Sequence, residues 1–262
     1  MYIKPKKSLG QNFLIDRDVL EKIVDTVDIN NKEVLEIGPG SGNLTTYILK
    51  KKPKNVYVIE KDNDLSLLLE EKFNNEITII NDDVLKIAED KISDSKLLVF
   101  GNLPYNISTE ILSKWIINLG KNFWFESLVL MFQKEVADRI IAEPNTSKYG
   151  RLSILSSWKL NIQKIMDIKP ESFSPRPKID SSLLLFTPKE DYFELKNAKN
   201  LETITRIFFS QRRKMLKKPF NQVFKNAKEI SEKFKIDLNL RPQNLEPKIY
   251  FELVKEYENL RG

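Results

Sequence analysis

The sequence predicts an α/β protein: a doubly wound, Rossmann-like domain followed by a small all-helical domain. Apolar runs of strand length alternate with helix-like patterns through the N-terminal part, which is the arrangement that produces a parallel sheet. From Lys189 onward the strand-like runs vanish and helical patterns take over. We therefore place the Rossmann-like domain at residues 1–188 and the helical domain at residues 189–262, with the boundary just after the apolar run 181–186.

The elements of the first domain follow from short, bounded patterns. Apolar runs rich in β-branched residues predict strands, at residues 34–37, 56–60, 77–80, 97–100 and 127–132. Segments with apolar residues at helical spacing predict helices between the strands, at residues 43–50, 65–73, 110–119 and 134–141. This alternation supports the doubly wound arrangement.

Composition excludes several chemistries. The 262 residues include no His and no Cys, which rules out imidazole bases, thiolate nucleophiles and cysteine-based zinc sites, and we expect no metal site. The first residues carry no apolar run typical of a signal peptide, and nowhere do about 18 consecutive apolar residues occur, as a membrane span requires. We expect a cytoplasmic protein with no membrane partner.

The positive charge lies in the C-terminal part. The net charge is +6, and residues 1–188 hold 26 basic and 26 acidic side chains, whereas residues 189–262 hold 17 basic and 11 acidic ones. The cations are densest in residues 206–218, called the cationic segment below. Its six cations are Arg206, Arg212, Arg213, Lys214, Lys217 and Lys218.

On one continuous helix, the cationic segment would set its cations against an apolar seam. The seam would be formed by Phe208, Phe209, Met215 and Leu216. Such a face is suited to binding the phosphates of a nucleic acid. An ordinary solvated helix face has the same pattern, and both interpretations stand at this point.

A glycine-rich turn follows the first predicted strand. Gly38 and Gly40 permit a tight turn and close approach of the backbone to a ligand, and Glu60 ends the next strand 22 residues after Gly38. An acidic residue at that spacing accepts hydrogen bonds from ribose hydroxyls in nucleoside-cofactor folds. Asn43 stands where a dinucleotide fingerprint has its third glycine, which argues against an NAD-dependent oxidoreductase. A structural turn with a surface Glu is the alternative.

Polar residues also follow two later strands. Asp82 and Asp83 come after the strand at 77–80, where the carboxyl edge of the sheet is expected, and one of them is suited to accept from an adenine amino group. Both also fit ordinary helix caps or turns. Asn102-Leu103-Pro104-Tyr105 follows the strand at 97–100.

The chemistry of this last motif fits methyl transfer to N6 of adenine. The Asn102 side-chain oxygen and the backbone carbonyl before Pro104 can together accept hydrogen bonds from an exocyclic amine, and Tyr105 can stack on its base. Two acceptors favour the pyramidal, nucleophilic amine, and a sulfonium methyl donor is reactive enough that no dedicated base is needed. A simple turn is the alternative for these residues.

Together the motifs resemble those of the bacterial small-subunit ribosomal RNA adenine dimethyltransferases, the family linked to kasugamycin sensitivity. Residues 11–14 (Gln-Asn-Phe-Leu) are similar to the family's N-terminal motif, 36–40 to its first cofactor loop and 102–105 to its catalytic motif. Residues 172–181 are similar to a later loop that carries a second aromatic residue, although Arg176 departs from the pattern there. The resemblance covers nearly the whole chain.

The resemblance implies an S-adenosylmethionine-dependent methyltransferase domain. It assigns cofactor contacts to Asn12, Leu14, Gly38, Glu60, Asp83 and Asn102. Within that set Glu60 is expected to hold the ribose, Asp83 the adenine and Gly38 the methionine end. The implied catalytic residues are Asn102, Leu103, Pro104, Tyr105 and Phe173, with the two aromatic rings on either side of a target base taken out of its stack.

The resemblance also implies the reaction and the partner. Two adjacent adenines in the 3′-terminal hairpin of 16S rRNA are each dimethylated at N6, within the small ribosomal subunit or its precursor, with a role in subunit biogenesis. The cationic segment then acquires phosphate contacts as its function. We expect a monomeric enzyme.

Three related alternatives remain at this stage. Erythromycin-resistance methylases of 23S rRNA share the catalytic motif, but Gly38-Pro39-Gly40 and residues 211–216 are closer to the small-subunit group. Mitochondrial transcription factors of the same fold carry a transit peptide, which we do not find before Asn12. An assembly factor whose methyl transfer is dispensable has the same motifs, and intact Glu60, Asn102 and Tyr105 favour an active enzyme over it.

Overall fold

The computed structural model describes Lys6 and residues 11–261. Most of the N-terminal stretch on which the expectation of no signal peptide depends therefore lies outside the described residues. The strands are β1 Phe13–Leu14, β2 Glu33–Ile37, β3 Asn55–Ile59, β4 Thr78–Ile80, β5 Leu97–Asn102, β6 Phe125–Gln133, β7 Leu160–Ile168, β8 Phe173–Ser174 and β9 Ser181–Pro188.

The helices follow the same chain order. They are α1 Arg17–Val24, α2 Asn43–Lys50, α3 Asn63–Phe73, α4 Ser108–Asn118, α5 Lys134–Ile140, α6 Arg151–Lys159, α7 Ala198–Phe209, α8 Lys217–Val223, α9 Ala227–Lys233 and α10 Pro247–Asn259. In the part of the chain that the structure describes, none of them is long and apolar enough to cross a membrane.

The main sheet has seven strands in the order β4-β3-β2-β5-β6-β9-β7. The first five strands in this order, β4, β3, β2, β5 and β6, run parallel to one another, and β9 is antiparallel to β6. From β2 the chain order rises through β3 and β4 on one side and through β5, β6 and β9 on the other, so the strand order reverses between β2 and β5. In doubly wound sheets, ligands bind outside the carboxyl ends of the strands at this point. The predicted α/β fold class is confirmed.

Burial explains why these runs form the sheet. All five residues of β2 are buried, and five of the six in β5 are, as expected for strands covered on both faces. Amphipathic helices cover them: α1 buries Leu20, Ile23 and Val24 and begins at Asp16, whose carboxylate accepts from the backbone N–H groups of residues 18 and 19.

Two compact units make up the chain. Among the described residues, the first comprises those up to 114 together with 119–137 and 162–188, and holds nearly all of the sheet. The second comprises 115–118, 138–161 and 189–261, and its core is aromatic.

In the second unit, the Phe208 ring lies 5.4 Å from the Phe220 ring and 5.6 Å from the Tyr250 ring, centroid to centroid. The predicted division at Pro188 differs from the observed grouping in two segments, 115–118 and 138–161, which group with the C-terminal part. Residues 138–161, predicted as part of the first domain, pack with the C-terminal helices, because Tyr149 is buried and donates a hydrogen bond from its hydroxyl to the Leu245 carbonyl at 2.9 Å.

The cationic segment is not one helix, contrary to our expectation. Helix α7 ends at Phe209 and α8 begins at Lys217, with turns between them. Pro219 explains the break, because a helix running through it would lose a backbone hydrogen bond and clash with the preceding turn, whereas the first turn of α8 tolerates proline. The apolar seam is likewise incomplete: Leu216 is fully buried, but Met215 is 58% exposed.

Candidate active site

A cavity of about 300 Å³ lies at the carboxyl ends of β2, β3 and β5, where the strand order reverses. This volume is at the lower end of the range for small-molecule sites. The structure brings together most of the residues predicted for the site. Those that line the cavity are Asn12, Leu14, Gly38, Glu60, Asp83, Asn102, Leu103, Pro104 and Tyr105.

The glycine turn after β2 forms the floor of the cavity. Gly38 and Gly40 both have left-handed backbones, with φ of +66° and +59°, a conformation that other residues adopt at a cost. A Cβ on Gly40 would stand 2.7 Å from the ring of Phe13, which is closer than real contacts allow. Glycine is therefore required at residue 40 both by conformation and by space.

Glu60 follows β3 and is bound to the glycine turn. Its carboxylate accepts hydrogen bonds from the backbone N–H of Gly40 at 3.2 Å and of Asp62 at 2.9 Å. Burial raises the pKa of the Glu60 carboxyl, and the two backbone donors oppose that shift. The carboxylate is thus fixed in direction and still has lone pairs for a ligand.

Glu36 is a further carboxyl at the cavity, and the sequence patterns predict no separate role for it. It lies in β2, two residues before Gly38, is only 2% exposed and lines the cavity. Its carboxylate accepts a hydrogen bond from the Thr45 hydroxyl at 2.6 Å. Burial raises the pKa of the Glu36 carboxyl to about 7. The signal in the sequence was an acidic residue inside the otherwise apolar run 34–37.

Asp83 and Asp82 differ in their surroundings. The Asp83 carboxylate accepts from the Leu85 backbone N–H at 3.0 Å and forms an ion pair with Lys61 at 2.8 Å. These contacts, above all that with Lys61, hold the pKa of the Asp83 carboxyl below its usual value. Asp82 is exposed and accepts from the Asp83 backbone N–H at 2.6 Å. Asp83 is therefore the more firmly positioned of the two.

Residues 11–14 form one wall of the cavity and are held by side chains from three other places. The Asn102 amide donates to the Asn12 carbonyl at 2.8 Å, and the Asn43 amide donates to the Leu14 carbonyl at 2.7 Å. The Gln11 amide donates to the buried Asp62 carboxylate at 2.9 Å. Asn43, which is not glycine as in a dinucleotide fingerprint, thus holds this wall in place.

The hydrogen bond from Asn102 also orients its own side chain. Because the amide nitrogen donates to Asn12, the amide oxygen is the acceptor that remains for a ligand. Leu103 is buried, which fixes the following turn, and Pro104 has no N–H group. The Tyr105 hydroxyl lies 2.6 Å from the hydroxyl of Ser181, the first residue of β9.

Phe173 does not join the cavity, contrary to our expectation. It lies in β8, which pairs with β1 so that Phe173 stands opposite Leu14, and it is 3% exposed within the apolar core. Burial of an aromatic ring in such a core is favourable by roughly 2 kcal/mol, which explains the placement. Arg176, the departure from the family pattern, is exposed and pairs with Glu171.

The cationic segment lies in the second unit and is largely solvent-exposed. Of its six cations, Arg212 is the exception: it is partly buried and donates to the Gln243 side-chain oxygen at 3.3 Å and to the Thr146 carbonyl at 3.2 Å. The exposed cations are Arg206, Arg213, Lys214, Lys217 and Lys218.

The sheet order, the cavity at its switch point and the Asn-Leu-Pro-Tyr turn define a Rossmann-like methyltransferase with a helical C-terminal part. Residues 3–259 match the family model described as Ribosomal RNA adenine dimethylase, and the chain belongs to that family. The resemblance seen in the sequence is thereby confirmed.

Two curated relatives are both described as Ribosomal RNA small subunit methyltransferase A. The one from Pelagibacter ubique (strain HTCC1062) is 80% identical over 262 residues, covering all of both chains. The one from Wolbachia sp. subsp. Drosophila simulans (strain wRi) is 44% identical over 250 residues, which are 93% of this chain and 90% of the relative.

Two solved structures are similar over most of the chain. A dimethyladenosine transferase from Plasmodium falciparum superposes with a TM-score of 0.77 at 27% identity, covering 94% of this chain and 98% of that one. The 23S rRNA methyltransferase ErmE superposes with a TM-score of 0.69 at 21% identity, covering 96% and 100%. At that identity ErmE shows the shared fold alone.

Proposed function

We propose that this protein transfers methyl groups from S-adenosylmethionine to N6 of two adjacent adenines in the 3′-terminal hairpin of 16S rRNA, producing N6,N6-dimethyladenosine. The observation that carries the proposal is the cavity in which Glu60, Asp83 and Asn102 converge at the carboxyl ends of β3, β4 and β5. The family and the names of the curated relatives support an rRNA of the small subunit as the substrate.

The residues of the cavity fit the cofactor. Glu60 and Asp83 are carboxylates suited to the ribose hydroxyls and the adenine amino group, and the left-handed turn at Gly38 lets the backbone approach the methionine end. Asn12, Leu14 and Asn102 complete the set. When bound, S-adenosylmethionine supplies a methyl group on a positively charged sulfonium.

Asn102, Leu103 and Tyr105 present the amine to that methyl group. The Asn102 side-chain oxygen and the Leu103 carbonyl accept hydrogen bonds from N6, which draws the nitrogen lone pair out of conjugation with the ring. Held in this way, the N6 lone pair would be directed at the methyl group that the cofactor supplies, and the bond between that methyl group and the sulfonium would break as the new N–C bond forms. The amine then loses a proton to water, so no basic side chain is needed.

Tyr105 stacks on the target base, and Pro104 limits the conformations of the turn between it and Asn102. Because Phe173 is buried in the core, the proposed stacking rests on Tyr105 alone. Stacking on an aromatic ring offsets part of the few kcal/mol that it costs to take a base out of its helix.

The exposed cations of the cationic segment contact phosphates of the rRNA. We infer that the substrate is the small ribosomal subunit or its precursor, that the protein acts as a monomer, and that it works in the cytoplasm, where these particles assemble. Arg206, Arg213, Lys214, Lys217 and Lys218 are the exposed side chains available for this contact.

Labelled methyl transfer tests the proposal. The protein is incubated with labelled S-adenosylmethionine and either unmethylated small subunits or naked 23S rRNA, and the digested nucleosides are analysed by mass spectrometry. Dimethyladenosine from the small subunit alone is expected. Product from 23S rRNA would move the protein to the resistance methylases, and particle binding without methylation would favour an assembly factor.

A further inference from the structure

Tyr105 and Ser181 are joined by a short contact between their hydroxyl groups. The two oxygens lie 2.6 Å apart, within hydrogen-bonding distance. Tyr105 is partly buried at the cavity, whereas Ser181 is fully buried at the start of β9. Burial raises the pKa of the Tyr105 phenol, so it stays protonated and able to share this hydrogen bond at physiological pH.

We propose that Ser181 is a positioning residue for the methyl transfer, because its hydroxyl holds the far end of the Tyr105 side chain and so fixes the location of the ring on which the target base stacks. The inference rests on the proposed function, in which Tyr105 stacks on the adenine. A tyrosine side chain turns about its Cα–Cβ and Cβ–Cγ bonds, and the hydroxyl oxygen lies on the axis of the second. An anchor at that oxygen therefore restricts rotation about Cα–Cβ, which is the rotation that would carry the ring away from the cavity.

Ser181 is suited to this role because its backbone is held against the end of β6. It stands opposite Gln133 in the antiparallel β6–β9 pair. The residue before it, Asp180, accepts a hydrogen bond through its carbonyl from the Lys134 backbone N–H at 2.9 Å. A small side chain on a strand fixed in this way gives its hydroxyl one location, and a location fixed by two strands is more accurate than one on a loop.

The next residue offers a matched control. Ser182 has the same side chain and is also fully buried in β9, but its hydroxyl donates to the Asp167 carboxylate at 2.6 Å and makes no contact with Tyr105 in the described structure. Successive strand residues point to opposite faces of the sheet, which explains the different partners. Ser181→Ala and Ser182→Ala remove the same atom from the same strand.

The experiment measures methylation of small subunits by the full-length protein. Ser181→Ala is expected to lower kcat about tenfold, the usual effect of one lost hydrogen bond, while the KM for S-adenosylmethionine stays within about twofold. Tyr105→Phe removes the same bond from the other side and should lower kcat equally. The double variant should be no worse than either single one, and Ser181→Thr, which retains the hydroxyl, should recover most of the activity.

A second readout reports on the ring directly. Small subunits carrying a fluorescent adenine analogue at the target position are titrated with each variant, because stacking on Tyr105 quenches the analogue. Ser181→Ala and Tyr105→Phe should reduce the quenching, and Ser182→Ala should leave it unchanged. A role limited to stability would change the fraction of folded protein without changing the quenching of the folded fraction.

Several results would overturn the inference. They are wild-type kcat in Ser181→Ala, an equal loss in Ser182→Ala, and losses that multiply in the double variant. If Ser181→Ala does not fold, Tyr105→Phe still tests the bond without altering β9, and full activity there would refute it. A wild-type protein that does not methylate small subunits would instead refute the proposed function, and this inference with it.

Discussion

The cavity at the carboxyl ends of β2, β3 and β5 and the cationic segment are built in opposite ways. At the cavity, Glu36, Glu60 and Asn102 are wholly or partly buried, and each is fixed by a hydrogen bond to another part of the first unit. In the cationic segment five of the six cations are exposed. The sixth, Arg212, is partly buried, and its side chain donates a hydrogen bond to the Gln243 side-chain oxygen at 3.3 Å. Where side chains are fixed by hydrogen bonds, a single substitution should cause a large loss of activity or cofactor affinity. Where exposed charges act together, each substitution should cause a small loss of binding affinity, and the losses should add.

The sharpest response is expected at Asn102. Asn102→Ala removes the proposed acceptor for N6 and also the donor to the Asn12 carbonyl. We expect kcat for methyl transfer to fall by a factor of about 100 to 1000, as when one preorganised catalytic hydrogen-bonding group is lost. Binding to the small subunit should persist, and a filter-binding assay beside the methyl-transfer assay separates the two.

Asn106→Ala is the matched control for Asn102→Ala. Asn106 also lines the cavity, but it is exposed to solvent. Its removal should change kcat by less than about threefold. Near-normal turnover in Asn102→Ala would refute the assigned mechanism.

Glu36 should link stability to pH. The pKa of its carboxyl is raised from 4.5 to about 7 because it is buried, with the Thr45 hydroxyl as its hydrogen-bond donor. Below pH 4.5 the carboxyl is protonated in both folded and unfolded chains. Above pH 7 it is ionised in both, and the folded chain then carries the whole cost of burying the charge.

A pKa difference of this size corresponds to about 3 kcal/mol of lost stability at pH 8. Glu36→Gln removes the charge and keeps an acceptor for Thr45. The variant should match the wild type at pH 4.5 and be more stable by up to about 3 kcal/mol at pH 8, measured by urea unfolding at both pH values. A difference that does not change with pH would contradict the burial of a titrating Glu36.

Substitution of Glu60 should act mainly on the affinity for S-adenosylmethionine. Glu60→Ala removes a fixed carboxylate, and hydrogen bonds to charged groups contribute about 1.5–3 kcal/mol. We expect the Kd for S-adenosylmethionine, measured by calorimetry, to rise by roughly 10- to 100-fold. Asp82→Ala removes an exposed carboxyl from the same cavity and should change the Kd by less than about threefold; an unchanged Kd in Glu60→Ala would exclude the ribose assignment.

The sequence could predict the fold and most of the cavity because both depend on local signals. Strand runs separated by helical patterns place Gly38, Glu60 and Asn102 at the ends of neighbouring parallel strands, and such ends meet at one edge of a sheet. Helix α2 has the predicted bounds, Asn43–Lys50, because a glycine turn and a lysine-rich turn delimit it.

What could not be predicted depends on contacts between distant segments. The burial of Phe173 follows from the pairing of β8 with β1, which are about 160 residues apart in the chain. The packing of residues 138–161 with the C-terminal helices depends on Tyr149, whose partner Leu245 is 96 residues away. No local sequence pattern indicates either of these contacts. In addition, α6 and β7 lie in a stretch for which the sequence patterns predicted no elements.

The smallest single effects are expected in the cationic segment, where charge alone should matter. Arg213 and Lys214 are exposed, whereas Arg212 has structural contacts, so a charge reversal confined to the first two avoids disturbing the fold. Arg213→Glu with Lys214→Glu should weaken binding to small subunits by about tenfold at moderate salt. The plot of log K against log salt concentration should become less steep by about two, since each lost phosphate contact reduces the magnitude of the slope by about one.

Two lysines outside the segment separate a specific contact from the general field of the second unit. Lys225 and Lys228 are also exposed, and Lys225→Glu with Lys228→Glu makes the same change in net charge. If both double variants lose the same affinity and the same slope, the rRNA responds to the charge of the whole unit and not to the cationic segment. If only the first pair changes the slope, while the Kd for S-adenosylmethionine stays constant in both, the segment contacts phosphates directly and the cavity functions independently of it.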